Sequence, residues 1–264
     1  MSFSLCVVGN SHVAAFKLAW DQRCPKLRDG VEARFFSAPN RLMKFMKREA
    51  KSLVANDGEL SEKLRYTSGG LDRIDFDRYD AFLVVGAGFG VDVQRLIQEC
   101  GVTVPWRFED DSHPLCSRRL LETLIDAYLE DSMAVTLIGH IQRFSTAPIL
   151  IAGAPFISER VAEDEAQPWL RDGEFVEAFV DCARRAAEAV AARHKTEIVW
   201  QRPETVARPG FMDVTFNNAP VRFQMRSKGP SFDVKHGNLD YGAMMLADTL
   251  TRLDQLTGGR LLAA

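Results

Sequence analysis

The sequence has no CxxC pair, no Walker-type phosphate loop, no internal repeat, no low-complexity linker and no apolar run long enough to cross a bilayer. Each absence closes a class. The five cysteines, Cys6, Cys24, Cys100, Cys116 and Cys182, form an odd, dispersed set. Such a set suits reduced thiols better than a disulfide framework or a zinc site. A membrane-spanning helix needs about 20 apolar residues in a row, so no membrane partner is expected. Neither sign of charge dominates: 33 Lys and Arg face 36 Asp and Glu, a net charge of −3. No global field therefore draws nucleic acid or an anionic membrane. The opening Met1-Ser2-Phe3-Ser4 lacks the basic start and apolar stretch of a signal segment, and the expected location is cytoplasmic. No His, Asp and Glu set has metal-ligand spacing, so neither a metal nor another cofactor is expected.

The composition is that of a globular domain, 46% apolar and 26% charged. At 264 residues the chain can bury a substantial core. Short apolar runs alternate with helical patterns. Strands are expected at Phe3 to Gly9, Val31 to Ser37, Asp80 to Gly86, Ala147 to Gly153 and Thr196 to Trp200. Helices are expected at Val13 to Asp21, at Asn40 to Val54 as a basic amphipathic helix, near Val91 to Glu99, and over Ser117 to Phe144 with a break near Asp131. Two more are expected at Gly173 to His194 and Asn238 to Leu256. Non-alternating apolar strands separated by helices argue for a parallel sheet covered on both faces. The expectation is an α/β fold: a doubly wound, flavodoxin-like three-layer α/β/α domain on a mostly parallel five-stranded sheet. It would be a single domain spanning residues 1–264, with a helical insertion around 105–145.

In such sheets ligands sit outside the carboxyl ends of the strands, and the chemistry is sought there. The first strand ends in Gly9-Asn10-Ser11-His12. The plain reading is a strand-to-helix turn capped by Asn10 or Ser11; the sharper one is that Ser11 is a nucleophile. The third strand runs into Gly86-Ala87-Gly88-Phe89-Gly90. This GxGxG lacks the later glycine and the acidic partner of a dinucleotide fingerprint. Before the last helix stand Asp233 and His236, three residues apart in a turn. An aspartate bound to one imidazole nitrogen fixes the tautomer and leaves the other nitrogen free as a base. A serine hydroxyl becomes an effective nucleophile when such a base takes its proton. A lone DxxH is usually a capped turn with a surface histidine. Paired with a serine at a strand-helix elbow, it reads as the rest of a triad.

These blocks resemble the SGNH, or GDSL-type, hydrolase superfamily. Gly9-Asn10-Ser11 matches the first block, with Asn10 in place of the usual Asp, and Asp233-x-x-His236 matches the last. The resemblance implies an esterase in which Ser11, His236 and Asp233 are catalytic and the Ser11 N–H is an oxyanion donor. It sets Tyr66-Thr67-Ser68-Gly69-Gly70 at the second block, so that Gly69 or Gly70, with a lean to Gly69, supplies another N–H. Gly86-Ala87-Gly88-Phe89 aligns with the G-x-N-D block, and Gly88 stands where an oxyanion-binding asparagine is usual. Losing one such donor costs about 2.7–4 kcal/mol of transition-state stabilisation. Three outcomes are open: another donor substitutes, with the Gly88 N–H and the neighbouring Asn10 as candidates, the enzyme is slow, or the site no longer catalyses. The implied partner is a small-molecule or carbohydrate ester carrying a small acyl group. The alternatives are an O-acyltransferase using the same acyl-enzyme and an impaired SGNH-like binding protein.

His12, adjacent to Ser11, is a poor base for it, since neighbouring helix positions do not face one another; it lines the pocket or packs at the helix start. His113, His140 and His194 read as surface or structural residues. The stretch Trp106 to Asp111 reads as a substrate-facing loop at the rim or simply a connection, Lys228-Gly229-Pro230 as a segment that shapes the same rim, and Arg41, Lys44, Lys47, Arg48 and Lys51 as a solvated face.

Overall fold

The computed structural model describes residues 2–25, 30–90, 117–163, 171–223 and 233–262. The expected helix near Val91 to Glu99, together with Cys100, Trp106 to Asp111, His113, Cys116 and Lys228 to Pro230, lies outside the described residues.

The framework is an α/β domain on a five-stranded, all-parallel sheet. Its strands are β1 (Phe3–Gly9), β2 (Val31–Ser37), β3 (Ala81–Gly90), β4 (Ile149–Ala154) and β5 (Glu197–Val199), in the order β2-β1-β3-β4-β5. This is the doubly wound 2-1-3-4-5 order, whose topological switch point lies between β1 and β3. The central strands are apolar on both faces because helices cover both: Leu5, Cys6, Val7, Phe82, Leu83 and Val84 are all sealed from solvent.

Six helices longer than one turn are described: α1 (Val13–Arg23), α2 (Gly58–Ser68), α3 (Arg118–Glu130), α4 (Met133–Gln142), α5 (Gly173–Arg193) and α6 (Leu239–Leu256). Helices α1 and α6 pack together, α3 packs on α5, α4 lies against β3, and α2 flanks β2. The α1–α6 approach depends on Gly242, where a Cβ would fall 2.3 Å from the Ala15 carbonyl oxygen. The expected break in the 117–144 stretch falls at Asp131-Ser132, because Ser132 caps α4 by accepting the Val135 N–H at 3.2 Å.

The basic helix expected over Asn40 to Val54 does not form. A 3₁₀ turn (Leu42–Phe45) is followed by a hairpin pairing Lys47–Glu49 with Ser52–Val54, which Arg73–Asp75 extends to three strands. Ala50 takes φ +49° at the hairpin turn. Only Met43, Met46, Ser52 and Leu53 of the segment are buried, and strand pairing rather than a helix satisfies the backbone from Lys47 to Val54. A second small sheet joins Ile157–Ser158, Val206–Arg208 and Phe211–Met212. Among the described residues no helix is long and apolar enough to cross a membrane.

Candidate active site

The β1–α1 elbow places Ser11 at the switch point. The turn is closed by backbone bonds from the Val13 N–H to the Asn10 carbonyl (3.1 Å) and from the Ala14 N–H to the Ser11 carbonyl (3.2 Å). Asn10 Oδ1 accepts the His12 N–H at 3.3 Å. Neighbouring β2 anchors the elbow, as Ser37 Oγ–H donates to the Asn10 carbonyl at 2.7 Å. The Ser11 hydroxyl therefore does no capping. Ser11 Oγ lies 2.7 Å from His236 Nε2, across 225 residues of sequence.

On its other side, His236 Nδ1 lies 3.1 Å from Asp233 Oδ1 and 2.9 Å from Oδ2. With the Nδ1 proton directed at the carboxylate, Nε2 is bare and accepts from Ser11 Oγ–H. Arg222 Nε pairs with Asp233 Oδ2. It also lies 3.3 Å from Nδ1, but a protonated Nδ1 offers it no lone pair, so its partner is the carboxylate. The Lys235 N–H donates to Asp233 Oδ1 at 2.9 Å. Burial opposes charge on Asp233, yet the bonds from His236, Arg222 and Lys235 outweigh it and hold the carboxyl well below the usual carboxylate range.

The turn carrying Asp233 and His236 is itself clamped. Asn217, buried at the end of a one-turn helix (Val214–Asn217), donates from Nδ2 to the carbonyls of Asp233 (2.8 Å) and His236 (2.9 Å). The Ser158 N–H holds the Val234 carbonyl at 2.8 Å, and the Val221 N–H holds that of Gly237 at 3.1 Å.

Ser11, His12 and His236 open on a cleft of about 620 Å³. Its far wall is the end of β3. There Gly86, Ala87 and Gly88 take φ +62°, +55° and +77°, a left-handed turn that breaks register with β4. Gly86 is required sterically as well: a Cβ there would lie 2.6 Å from Asn10 Oδ1 and from His12 Cδ2. Gly88 lines the cleft, as does Asn10.

Gly69 and Gly70 do not reach it. They terminate α2, where Gly69 (φ +79°) is the left-handed C-cap, and both N–H groups are spent on the Arg65 carbonyl. Gly69 faces a separate groove beside Arg34 and Tyr66 along β2. The second-block alignment is therefore corrected. A helix-capping glycine pair has its amides committed locally, and it is the loop after β2 that lines the cleft with Ser11. That loop brings Asn40 (φ +56°) and Arg41 to the cleft. It is tied across to the α3–α4 junction by Lys44 Nζ donating to Asp131 Oδ1 at 2.6 Å. Tyr128, Ser132, Met133 and Lys235 complete the lining. Asn40 passed unnoticed in the sequence because its segment reads as helix; its position directly after a strand was the available signal. Asn217 and Arg222 carry no sequence signal, since both act through tertiary contacts.

The other histidines lie elsewhere. His194 Nε2 is 2.8 Å from Glu130 Oε2 on the helical layer, and His140 sits on α4. Burial pushes the Cys6 thiol up, in keeping with a core residue. Among the described residues no cluster of three His, Cys, Asp or Glu is arranged to hold a metal ion.

No family model and no curated protein matches the sequence. Among solved structures, the chain is similar to a carbohydrate esterase family 2 enzyme with a carbohydrate binding domain from Corynascus thermopiles (Myceliophthora fergusii). The identity is 12%, the match covers 98% of this chain and 67% of that one, and the TM-score is 0.41. It is similar to an extracellular lipase from Streptomyces rimosus at 10% identity, over 94% of this chain and 99% of that one, with a TM-score of 0.46. It is also similar to the periplasmic domain of a lipopolysaccharide acetyltransferase from Salmonella ser. Paratyphi A, at 8% identity over 96% and 83% of the two chains, TM-score 0.38. Likenesses this remote assign no activity.

Proposed function

We propose that the protein is a serine ester hydrolase of the SGNH type. One observation carries the reading: Ser11 Oγ, His236 and Asp233 form a continuous hydrogen-bonded relay at the switch point of a 2-1-3-4-5 sheet. In this reaction Ser11 Oγ attacks the ester carbonyl while His236 Nε2 takes its proton. Asp233 holds the ring and offsets the imidazolium charge. The tetrahedral intermediate collapses as His236 protonates the departing alcohol, leaving an acyl-enzyme that water hydrolyses by the same steps in reverse. Asn10, Asn40 and Gly88 line the same cleft as Ser11, and with the Ser11 N–H they are the candidate donors to the oxyanion. The order of the Gly9-Asn10-Ser11 and Asp233-x-x-His236 blocks along the chain supports the superfamily. Residues with polar side chains outnumber the apolar ones in the lining, where Ala87, Met133 and Tyr128 supply apolar surface. That favours a short acyl group on a polar alcohol, such as an acetylated sugar, over a long-chain lipid.

The test is hydrolysis of short p-nitrophenyl esters by the wild type and Ser11→Ala, together with labelling by a fluorophosphonate. Turnover and stoichiometric labelling lost in Ser11→Ala are expected; equal rates in the two proteins would overturn the assignment.

A further inference from the structure

We infer that His12 is a hydrogen-bond donor to the reacting carbonyl, acting through Nε2–H beside the nucleophile, an inference that rests on the ester-hydrolase reading above. His12 follows Ser11 in the elbow, and its ring stacks on the His236 ring with centroids 4.7 Å apart and planes tilted by 33°. It lines the same cleft, yet the relay makes no use of it.

Its surroundings select both tautomer and direction. Nδ1 is sealed from solvent and has no hydrogen-bond partner among the described residues. A proton on Nδ1 would bury an N–H with no acceptor, and orphaned N–H groups are rarer than under-used acceptors. The proton therefore belongs on Nε2. The Cδ2 edge abuts the Gly86 backbone, where a Cβ would come within 2.6 Å. With Nδ1 sealed and Cδ2 against Gly86, Nε2 is the polar atom the ring presents to the cleft.

The charge state fits the same role. Burial, and after it the nearby His236, push the His12 pKa down to about 3, with Lys235 and Arg222 adding to the effect and Asp233 opposing it. The ring stays neutral over the working range. A cation stacked on His236 would oppose the imidazolium formed when His236 takes the serine proton; a neutral donor does not. In the step itself the Oγ–C bond forms, the carbonyl π pair moves onto oxygen, and the Oγ proton passes to His236 Nε2. His12 keeps its proton and lends only a hydrogen bond to the new oxyanion.

Hydrolysis of p-nitrophenyl acetate by the wild type, Ser11→Ala, His12→Phe, His12→Asn and His12→Gln tests this. Phe keeps a ring on His236 but donates nothing. Gln carries an amide N–H to about where Nε2 stands, whereas Asn reaches only the Nδ1 position. Donation predicts kcat lower by at least about 10-fold in His12→Phe and His12→Asn, toward the roughly 10²–10³-fold of a lost oxyanion donor. KM should change little, and His12→Gln should recover part of the loss. If the ring serves only as packing, the order reverses, with His12→Phe above His12→Gln, and the inference is overturned. Nitrogen-15 NMR of imidazole-labelled wild type gives a readout independent of the variants' folding. A neutral Nε2–H tautomer at pH 7 is expected, and a proton on His12 Nδ1 refutes the inference. Wild type as inactive as Ser11→Ala would remove the ester-hydrolase reading and this inference with it. A Ser11-dependent wild type matched by an unimpaired His12→Phe removes this inference alone.

Discussion

Replacing Asn217 by Ala tests how far the relay depends on a side chain that never meets the cleft. Asn217 is 1% exposed, and its Nδ2 donates to the carbonyls of both Asp233 and His236. In Asn217→Ala both carbonyls stay buried, because the bonds from Ser158 and Val221 hold the turn from either side. Two buried acceptors left unpaired cost about 1–3 kcal/mol each. Against this, Asn217 Oδ1 is itself buried without a partner, so its removal returns about 1 kcal/mol. The expected loss of stability is therefore about 1–5 kcal/mol, read from urea unfolding midpoints at constant m. The turn carries the base and its orienting carboxylate on one clamp, so the activity should fall too. A shift of about 1 Å in a catalytic group is enough to cost roughly 10²-fold, and kcat on a short ester is expected to drop accordingly with KM less affected. Asn217→Asp should be worse than Ala, since it points an anion at two carbonyls. An Ala variant within about 0.5 kcal/mol of wild type, and as active, would refute the clamp.

Two further outcomes follow from the same site. Gly86→Ala forces a side chain onto φ +62° and drives its Cβ to 2.6 Å from both Asn10 and His12. About 1–2 kcal/mol of backbone strain, plus displacement of two cleft residues, should lower kcat/KM by more than 10-fold, as measured on a short p-nitrophenyl ester, and wild-type activity would count against the packing described. Acid should weaken the fold in two stages, seen in urea midpoints between pH 8 and 3. Below pH 6.5 the unfolded chain protonates His12 while the native ring resists down to about pH 3, so stability falls as pH falls. Below about pH 4 the unfolded chain also protonates Asp233, which the native state keeps ionised well below that range. Each group contributes at most about 1.4 kcal/mol per pH unit, and His12→Phe should remove the first stage; a flat profile from pH 7 to 4 would contradict it.

The sheet was readable because its signal is local. Phe3 to Gly9 and Val31 to Ser37 are strands, rich in apolar residues, at the expected positions, and Ser132 marks the helix break by a capping chemistry that sequence displays. The segment from 40 to 54 misled because basic residues at mixed spacing fit a helix face as well as a hairpin; only pairing with Arg73–Asp75 decides between them. Ser11, Asp233 and His236 were legible by residue type and chain order. The rest of the cleft wall was legible only in part: the glycines marked the Gly86 to Gly88 turn, whereas Asn40 sits in a loop whose segment reads as helix. Gly69 shows the converse: a glycine pair that looks like an anion-binding turn spends its amides closing a helix.

The distance along the chain between Ser11 and His236 has a further meaning. On the proposed reading the nucleophile and its base are 225 residues apart in the chain, and they come together as α6 docks on α1. Closing so long a loop is entropically slow relative to local contacts. During synthesis the chain must therefore pass through a long interval in which the serine is present without a partner and is chemically inert. Turnover then reports completion: a truncated chain, or one whose last helix has come undone, loses activity even if its sheet survives.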